Sequence, residues 1–203
     1  MSTAKDLFVI ALDPEVERAV GQGDLSLALA GAELIDLIAA RTVTLDGDRI
    51  VPGGSEAPDD RLLAEAASVL TRRAPYERVD DWLWRRGRDL AGTYLASLEE
   101  EGLLVRTRGG RSPFGAGRVE PADTPERRRA LDRRDADEPV LAVLASAVGL
   151  DEARGGAEPE ADPGDEAVTT VLAVVHDAVM ELEAVRQRRS IENAAFANVW
   201  RAP

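Results

Sequence analysis

The sequence predicts a mostly α-helical protein, folded as one globular domain over residues 1–203, with a buried central helix and two or so β-hairpins. Three observations lead to this fold class. Apolar residues recur at steps of three and four along most of the longer segments, which is the period of a helix with one buried face. The chain has 203 residues, 44% of them hydrophobic, which is enough for one core without disulfides or metal. Two short runs of strand-forming residues turn back at glycines, as hairpins do.

The first two predicted elements are a short helix over residues 6–12 and the central helix, which we expect Asp24 to cap. Apolar residues cover most of the circumference of the central helix, so we expect it in the middle of the domain. Glu33 and Asp36 are the only carboxylates embedded in it after its first turn. We expect them to pair with an arginine or to reach the one wet side of the helix, and a general acid and base pair is the alternative.

A hairpin is predicted directly after the central helix. The run TVTLDGDRIV, residues 42–51, contains Asp46-Gly47, a pair that accepts positive φ at both turn positions of a type I′ hairpin. An amphipathic helix over residues 59–73 follows, and Pro75 ends it.

The middle of the chain is predicted to hold two helical pieces and a second hairpin. Residues 79–101 form the two pieces, with Gly87 near their junction and Gly102 as the stop signal. Residues 103–120 then give a strand, a glycine-rich tip and a return strand, and this hairpin is basic.

The last third of the chain is predicted to be helical on both sides of an acidic loop. An Arg-rich helix begins at Thr124, and a helix rich in Ala and Val begins near Pro139. Residues 151–165 combine low hydrophobicity with Pro and Gly, so we expect a mobile loop. The final helix carries an apolar stripe from Val168 to Val185.

The residue inventory excludes several classes of chemistry. The chain has no cysteine, which excludes disulfides and cysteine-bound zinc and favours the cytoplasm. Its one histidine, His176, lies within an apolar helix, where we expect an ordinary boundary residue and not a base or a ligand. Glycine-rich phosphate-binding motifs are missing as well. We therefore expect no catalytic residue, no metal and no cofactor.

Membrane insertion is not expected from the sequence. The first apolar run stops at Asp13 and is too short for a signal peptide. The best candidate for a spanning helix, residues 25–40, is shorter than the roughly 20 apolar residues required, and two carboxylates interrupt it. We expect a soluble, cytoplasmic protein that can be peripheral at a membrane.

Charge is unevenly placed along the chain. The formal net charge is −13, which opposes indiscriminate binding to nucleic acid or anionic lipid. Residues 85–134 nevertheless contain twelve arginines against eight acidic residues, whereas residues 151–166 contain seven acids and one arginine. A basic face is therefore predicted on an otherwise acidic protein.

The hairpin tip is the most unusual stretch for its composition. Residues 106–118 hold four arginines, four glycines, one aromatic residue and no acid. Such a tip could insert its ring at a lipid or partner surface while the arginines hold phosphate, could act as the wing of a winged-helix fold on DNA, or could be a plain flexible hairpin. The predicted membrane-contact residues are Arg106, Arg108, Arg111, Phe114 and Arg118.

Several segments, taken in order, resemble the Golgi phosphoprotein 3 family. They are DLFVIALDPE (6–15), DLSLALAGAELIDLIAARTVTLDG (24–47), DDRLLAEAASVL (59–70), WLWRRGRDL (82–90), YLASLEEEGLL (94–104) and LAVLASAVGL (141–150). The resemblance spans roughly residues 5–185 and is to the bacterial members. It implies a single helical domain with a buried central helix and no enzymatic activity. In eukaryotic members a basic pocket binds the headgroup of phosphatidylinositol 4-phosphate, and an adjacent apolar hairpin enters the membrane.

The pocket residues of that family match this chain at one position of four. The family's tryptophan ahead of the central helix falls at Gly21, and an arginine in that helix falls at Ala30. Of two further arginines three residues apart, the first is Arg88 and the second falls at Ala91. Each charge-assisted bond lost is worth about 1.5–3 kcal/mol, so the affinity for a doubly charged headgroup should fall by orders of magnitude.

The sequence thus predicts a non-enzymatic peripheral membrane or adaptor protein that binds anionic, phosphoinositide-like headgroups through a basic patch. We expect Arg85 and Arg86 to join Arg88 in the headgroup site, and the hairpin to add about 1 kcal/mol of attraction per basic residue near the membrane. The predicted partner is an anionic phospholipid headgroup or membrane surface. A protein-interaction module without lipid binding is the alternative, and a winged-helix DNA-binding protein is disfavoured by the charge.

Overall fold

Helices form most of the protein, which confirms the predicted fold class of a single helical domain. The computed structural model describes residues 2–14, 20–54, 58–107, 118–150 and 165–199. The elements in chain order are α1 (Thr3–Ala11), α2 (Gln22–Ala39), β1 (Val43–Asp46), β2 (Arg49–Pro52), α3 (Arg61–Ser68), α4 (Val79–Arg86), α5 (Leu90–Glu100), β3 (Leu104–Thr107), β4 (Arg118–Pro121), α6 (Pro125–Asp135), α7 (Pro139–Ala147) and α8 (Glu166–Val199). The strands pair as two separate antiparallel hairpins, β1 with β2 and β3 with β4.

Helix α2 is the core element, as its apolar circumference predicts. It contacts α1, α3, α4, α5, α7 and α8, and its residues from Leu25 to Ile35 are all buried. Gly31 is where α8 comes closest, because a Cβ added there would collide with a methyl group of Val175. The apolar stripe of α8 supplies this contact, and most of its predicted residues are buried.

The start of α2 differs from the prediction. The helix begins at Gln22 with Gly21 as its N-cap, so Asp24 lies in the first turn and is not the cap. Its carboxylate instead accepts hydrogen bonds from Arg186 of α8 at 2.7 and 2.6 Å. A charged partner from the other end of the chain therefore replaces the local capping bond that the sequence suggested.

The first hairpin is confirmed, but its turn lies one residue later than predicted. Asp46 pairs with Arg49, so the two turn residues are Gly47 and Asp48. Of these two, Gly47 alone has a positive φ, +58°. A type I′ turn needs positive φ at both positions, so the predicted turn type is wrong.

Most helix ends in the middle of the chain agree with the sequence. The two predicted helical pieces are α4 and α5, joined at Gly87, and Gly102 follows with φ +73° as the expected stop. Helix α3 is shorter than predicted: Asp60 caps it by accepting from two backbone amides at 3.1 Å, but it ends at Ser68. Residues 69–78 connect α3 to α4.

The C-terminal helices begin where predicted. Thr124 caps α6 and Pro139 is the first residue of α7. Among the described residues no helix is long and apolar enough to cross a membrane. The acidic loop predicted at residues 151–165 lies outside the described residues except for Asp165, which accepts from the amide of Ala167 at the start of α8.

Candidate functional site

Arg86 is held by a buried carboxylate at the centre of the domain. Its Nε and Nη2 donate to the two oxygens of Glu33 at 2.7 and 2.9 Å, and Nη1 donates to Glu65 at 3.0 Å. The hydroxyl of Tyr94 donates to the same Glu33 carboxylate at 3.1 Å. The side chain of Arg86 is 9% exposed and that of Glu33 is fully buried. The expectation that Glu33 pairs with an arginine is confirmed, and the pair joins α2, α3, α4 and α5.

The electrostatics of this cluster follow from its burial. Burial raises the pKa of Glu33, and hydrogen bonds from Arg86 and Tyr94 act in the opposite direction. Burial and the adjacent Glu33 raise the pKa of Tyr94 well above its ordinary value. For Arg86, burial lowers the pKa, but the bonds to Glu33 outweigh it and the pKa is raised. Arg86 can therefore reach a headgroup only by leaving a buried carboxylate unpaired, which is costly.

The second embedded carboxylate, Asp36, serves α1. It accepts hydrogen bonds from the backbone amides of Thr3 and Ala4 at 3.1 and 3.2 Å, and so caps the first turn of that helix from α2. Burial raises the pKa of Asp36, and these hydrogen bonds oppose the shift. Glu33 and Asp36 are thus engaged with different parts of the fold.

Arg85 is on the surface but is also engaged. It donates to both oxygens of Glu77 at 2.6 and 2.8 Å, and its guanidinium lies 5.2 Å from the ring centre of Trp82. The hydrogen bond to Glu77 raises the pKa of Arg85. Arg85 and Arg86 therefore contact separate sets of residues, and neither lines the cavity described next.

Arg88 lies at an open cavity of about 490 Å³ between the first turn of α2, the junction of α4 and α5, and α8. Leu27, Trp84 and Leu182 supply its apolar wall, and Arg88 and Asp89 are among its polar residues. Trp84 is unusually exposed for its size, at 36%. The structure thus brings one of the three predicted headgroup arginines to a concave surface.

The charges around this cavity are balanced. Arg88 is exposed, and within the described parts of the chain no acidic side chain forms an ion pair with it. Asp89 lies beside it with φ +57°, and its side chain does not cap α5. Arg186 is close to the first turn of α2, but Asp24 binds it at 2.6 Å.

This site differs from the pocket of the family, and the residues at the matching positions explain how. A Cβ at Gly21 would collide with the carboxylate of Asp24, so the Asp24–Arg186 pair occupies the space a side chain would need. Ala30 is fully buried, and its carbonyl accepts from the indole of Trp82 at 3.1 Å.

Ala91 is also buried, and its amide donates to Ser26, a cavity residue, at 3.0 Å. Sequence reasoning did not identify Trp84 or Leu182 as cavity walls. Trp84 precedes Arg88 by four residues, but α4 ends at Arg86, so helical spacing gave no signal that the two line one cavity.

The second hairpin is described only in its strands. Leu104 pairs with Pro121 and Thr107 with Arg118. Arg106 is exposed and bound to Glu99, at 2.9 Å from Nη2 to Oε2. Arg108, Arg111 and Phe114 lie outside the described residues, so the predicted membrane contact of this hairpin stays a prediction.

The Arg-rich helix α6 directs three of its arginines at α1 and the turn that follows it. Arg129 and Arg133 donate to the fully buried carboxylate of Asp6 at 3.0 and 2.5 Å, and Arg127 donates to Asp13 at 2.8 Å. Much of the positive surplus in residues 85–134 is therefore neutralised inside the fold.

A buried lysine that the sequence did not single out lies beside a second, polar cavity of about 390 Å³. The Nζ of Lys5 is 2.9 Å from Asp60 and 2.8 Å from Glu101, linking α1 to α3 and α5. Burial lowers the pKa of Lys5, but the bonds to Glu101 and Asp60 outweigh it and the pKa is raised. Internal partners thus satisfy the lysine, which makes it a structural residue.

In the described ranges no group of three or more His, Asp or Glu side chains could hold a metal ion. His176 is exposed on α8.

Comparison with known proteins gives one result. The sequence model of one family, described as Golgi phosphoprotein 3 (GPP34), matches residues 4–190 of the chain. A search of the curated proteins found no match. The matched range includes every residue that lines the cavity around Arg88.

Proposed function

Because the chain belongs to the Golgi phosphoprotein 3 family, we propose that it is a non-enzymatic peripheral membrane or adaptor protein that binds an anionic lipid headgroup in the cavity beside Arg88. One observation carries the proposal. Of the three arginines predicted to bind the headgroup, Arg88 lines this cavity and the other two do not, and Arg88 has no ion-pair partner in the described residues.

The chemistry of the cavity suits a phosphate. A guanidinium presents several N–H donors in a plane and can bind two phosphate oxygens at once. Gln22 and Gly23 also line the cavity, and their amides belong to the first turn of α2, where backbone N–H groups have no partner within the helix. These donors support Arg88 and do not form a site without it.

The expected binding is weak and sensitive to salt. One charge-assisted arginine contact is worth about 1.5–3 kcal/mol. The net charge of −13 opposes approach to an anionic membrane, so the attraction must come from this local site. Arg106, Arg108, Arg111, Phe114 and Arg118 are the proposed second contact, in which the aromatic ring would enter the interface.

Co-sedimentation with anionic vesicles at low and high salt tests the proposal. Arg88→Gln should weaken binding by roughly ten- to one-hundred-fold, which is the value of one such contact. Arg85→Gln is the matched control, because Arg85 is a nearby surface arginine outside the cavity. Equal binding by the parent and Arg88→Gln would overturn the proposal, and Arg108→Glu/Arg111→Glu tests the hairpin separately.

A protein-interaction module without lipid binding is the second candidate. Many of the arginines form ion pairs with internal carboxylates. The net charge of −13 then leaves an acidic surface, which suits a basic partner. Absence of vesicle binding at any salt concentration would support this candidate. A gel shift with random duplex DNA tests the third interpretation, a winged-helix protein, which the net charge disfavours.

A further inference from the structure

The cavity beside Arg88 has no surplus of positive charge before a ligand enters. Arg88 and Asp89 are the charged residues of its lining, and the ion pair of Asp24 with Arg186 lies beside it at the first turn of α2. Asp24 binds Arg186 with both carboxylate oxygens at 2.7 and 2.6 Å. Arg88 is thus the one arginine of the four charges that is available to an incoming anion.

Arg186 is fixed over the first turn of α2 by close packing as well as by charge. A Cβ at Gly23 would lie 2.9 Å from both the Arg186 Nη2 and a methyl group of Leu182. The glycine therefore leaves only the space that Arg186 and Leu182 already fill. Movement of this arginine into the cavity would expose Asp24 to the ligand.

This balance distinguishes two kinds of phosphate. A phosphomonoester carries about −1.5 to −2 charges at neutral pH, whereas a phosphodiester carries one. A single guanidinium matches the charge of the diester. The second charge of a monoester would find no further cation in the lining to compensate it, and Asp89, the acidic residue of the same lining, would repel it.

The apolar wall favours the same ligand. Leu27, Trp84 and Leu182 are the large apolar residues of the lining. A diester has carbon substituents on two of its oxygens, so one can continue to the lipid while the other packs against the indole ring. A terminal monoester has only oxygens to present to that wall, and their desolvation is unfavourable.

We infer that the cavity selects a singly charged phosphodiester headgroup, of the kind found in phosphatidylglycerol, over a terminal phosphomonoester. The inference rests on the proposed function and names the class of headgroup that the same site accepts. It also accounts for the absence of arginines at Ala30 and Ala91, because a singly charged ligand needs no second or third cation.

A vesicle panel with matched surface charge tests this inference. The vesicles contain phosphatidylglycerol or phosphatidic acid in a neutral lipid background. The parent protein should bind the phosphatidylglycerol vesicles more tightly, by on the order of tenfold. Tighter binding to phosphatidic acid, whose phosphate is a monoester, would overturn the inference and leave the proposed function intact, whereas no binding to either vesicle would overturn the proposed function itself.

Asp89→Asn supplies a second readout in the same experiment. Asparagine tolerates the positive φ of this position, and the aspartate side chain does not cap α5, so the fold should be retained. The substitution should raise affinity for the monoester vesicles and so reduce the preference for phosphatidylglycerol vesicles over them. An unchanged preference would contradict the charge argument. Competition with soluble glycerophosphoglycerol and with inorganic phosphate separates recognition of the lipid headgroup from recognition of a free phosphate.

Discussion

Replacing Arg86 by methionine should destabilise the protein far more than the same replacement at Arg85 or Arg88. The substitution would leave the fully buried carboxylate of Glu33 without its two hydrogen bonds of 2.7 and 2.9 Å and with only the hydroxyl of Tyr94. Removing one partner of a buried ion pair costs about 3–5 kcal/mol. For a domain of this size, that loss corresponds to a decrease in Tm of about 6–20 °C.

Urea unfolding followed by circular dichroism measures this difference in the free energy of unfolding. Arg85→Met is the control, because the side chain of Arg85 is 45% exposed, and its pair with Glu77 and its contact with Trp82 together contribute about 1–2 kcal/mol. Adding Glu33→Gln to Arg86→Met should recover at least about 1 kcal/mol, since the glutamine keeps an acceptor for the Tyr94 hydroxyl without the charge. A loss for Arg86→Met no larger than that of the control, or no recovery in the double variant, would refute the reasoning.

Two further substitutions test the packing of the core and its titrating groups. Gly31→Val should lower the free energy of unfolding in urea by about 1–3 kcal/mol, because the added side chain would collide with Val175. Adding Val175→Ala in the same chain should restore part of that stability. An unchanged stability of the Gly31→Val protein would show that α2 and α8 are not in close contact. The pKa of Tyr94 is raised above about 10 in the folded protein, so this tyrosine ionises at a lower pH in the unfolded chain. Above that pH the parent should lose up to about 1.4 kcal/mol of its free energy of unfolding per pH unit, and Tyr94→Phe should not. Unfolding curves at about pH 8 and about pH 11 check this, and a constant difference between the two proteins would contradict it.

The core of the fold could be predicted from the sequence because it depends on local periodicity. The unbroken apolar circumference of α2 indicates burial wherever the neighbouring helices come from. The glycines at residues 47 and 102 mark a turn and a helix end because both adopt positive φ, which other residues avoid. Glu33 was expected to pair because a charge in such a helix is otherwise costly.

The candidate site could be predicted only in part, because it depends on contacts between distant residues. Four consecutive positions hold Arg85, Arg86 and Arg88. The local sequence gives no sign of which of these arginines lacks an ion-pair partner. Glu33, 53 residues before Arg86, decides that Arg86 is internal. Likewise the Asp24–Arg186 pair spans 162 residues, and it engages the carboxylate that the sequence assigns to the cap of α2.

The central claim is that an anionic headgroup enters the cavity and binds Arg88. A titration of isotope-labelled protein with short-chain phosphatidylglycerol, followed by nuclear magnetic resonance, tests it most directly. The account predicts saturable shifts of the Trp84 indole N–H and the Arg88 Nε–H, while the Trp82 indole, bound to the carbonyl of Ala30 at 3.1 Å, stays in place. Shifts that spare Trp84 and Arg88, or that persist unchanged in Arg88→Gln, would contradict it.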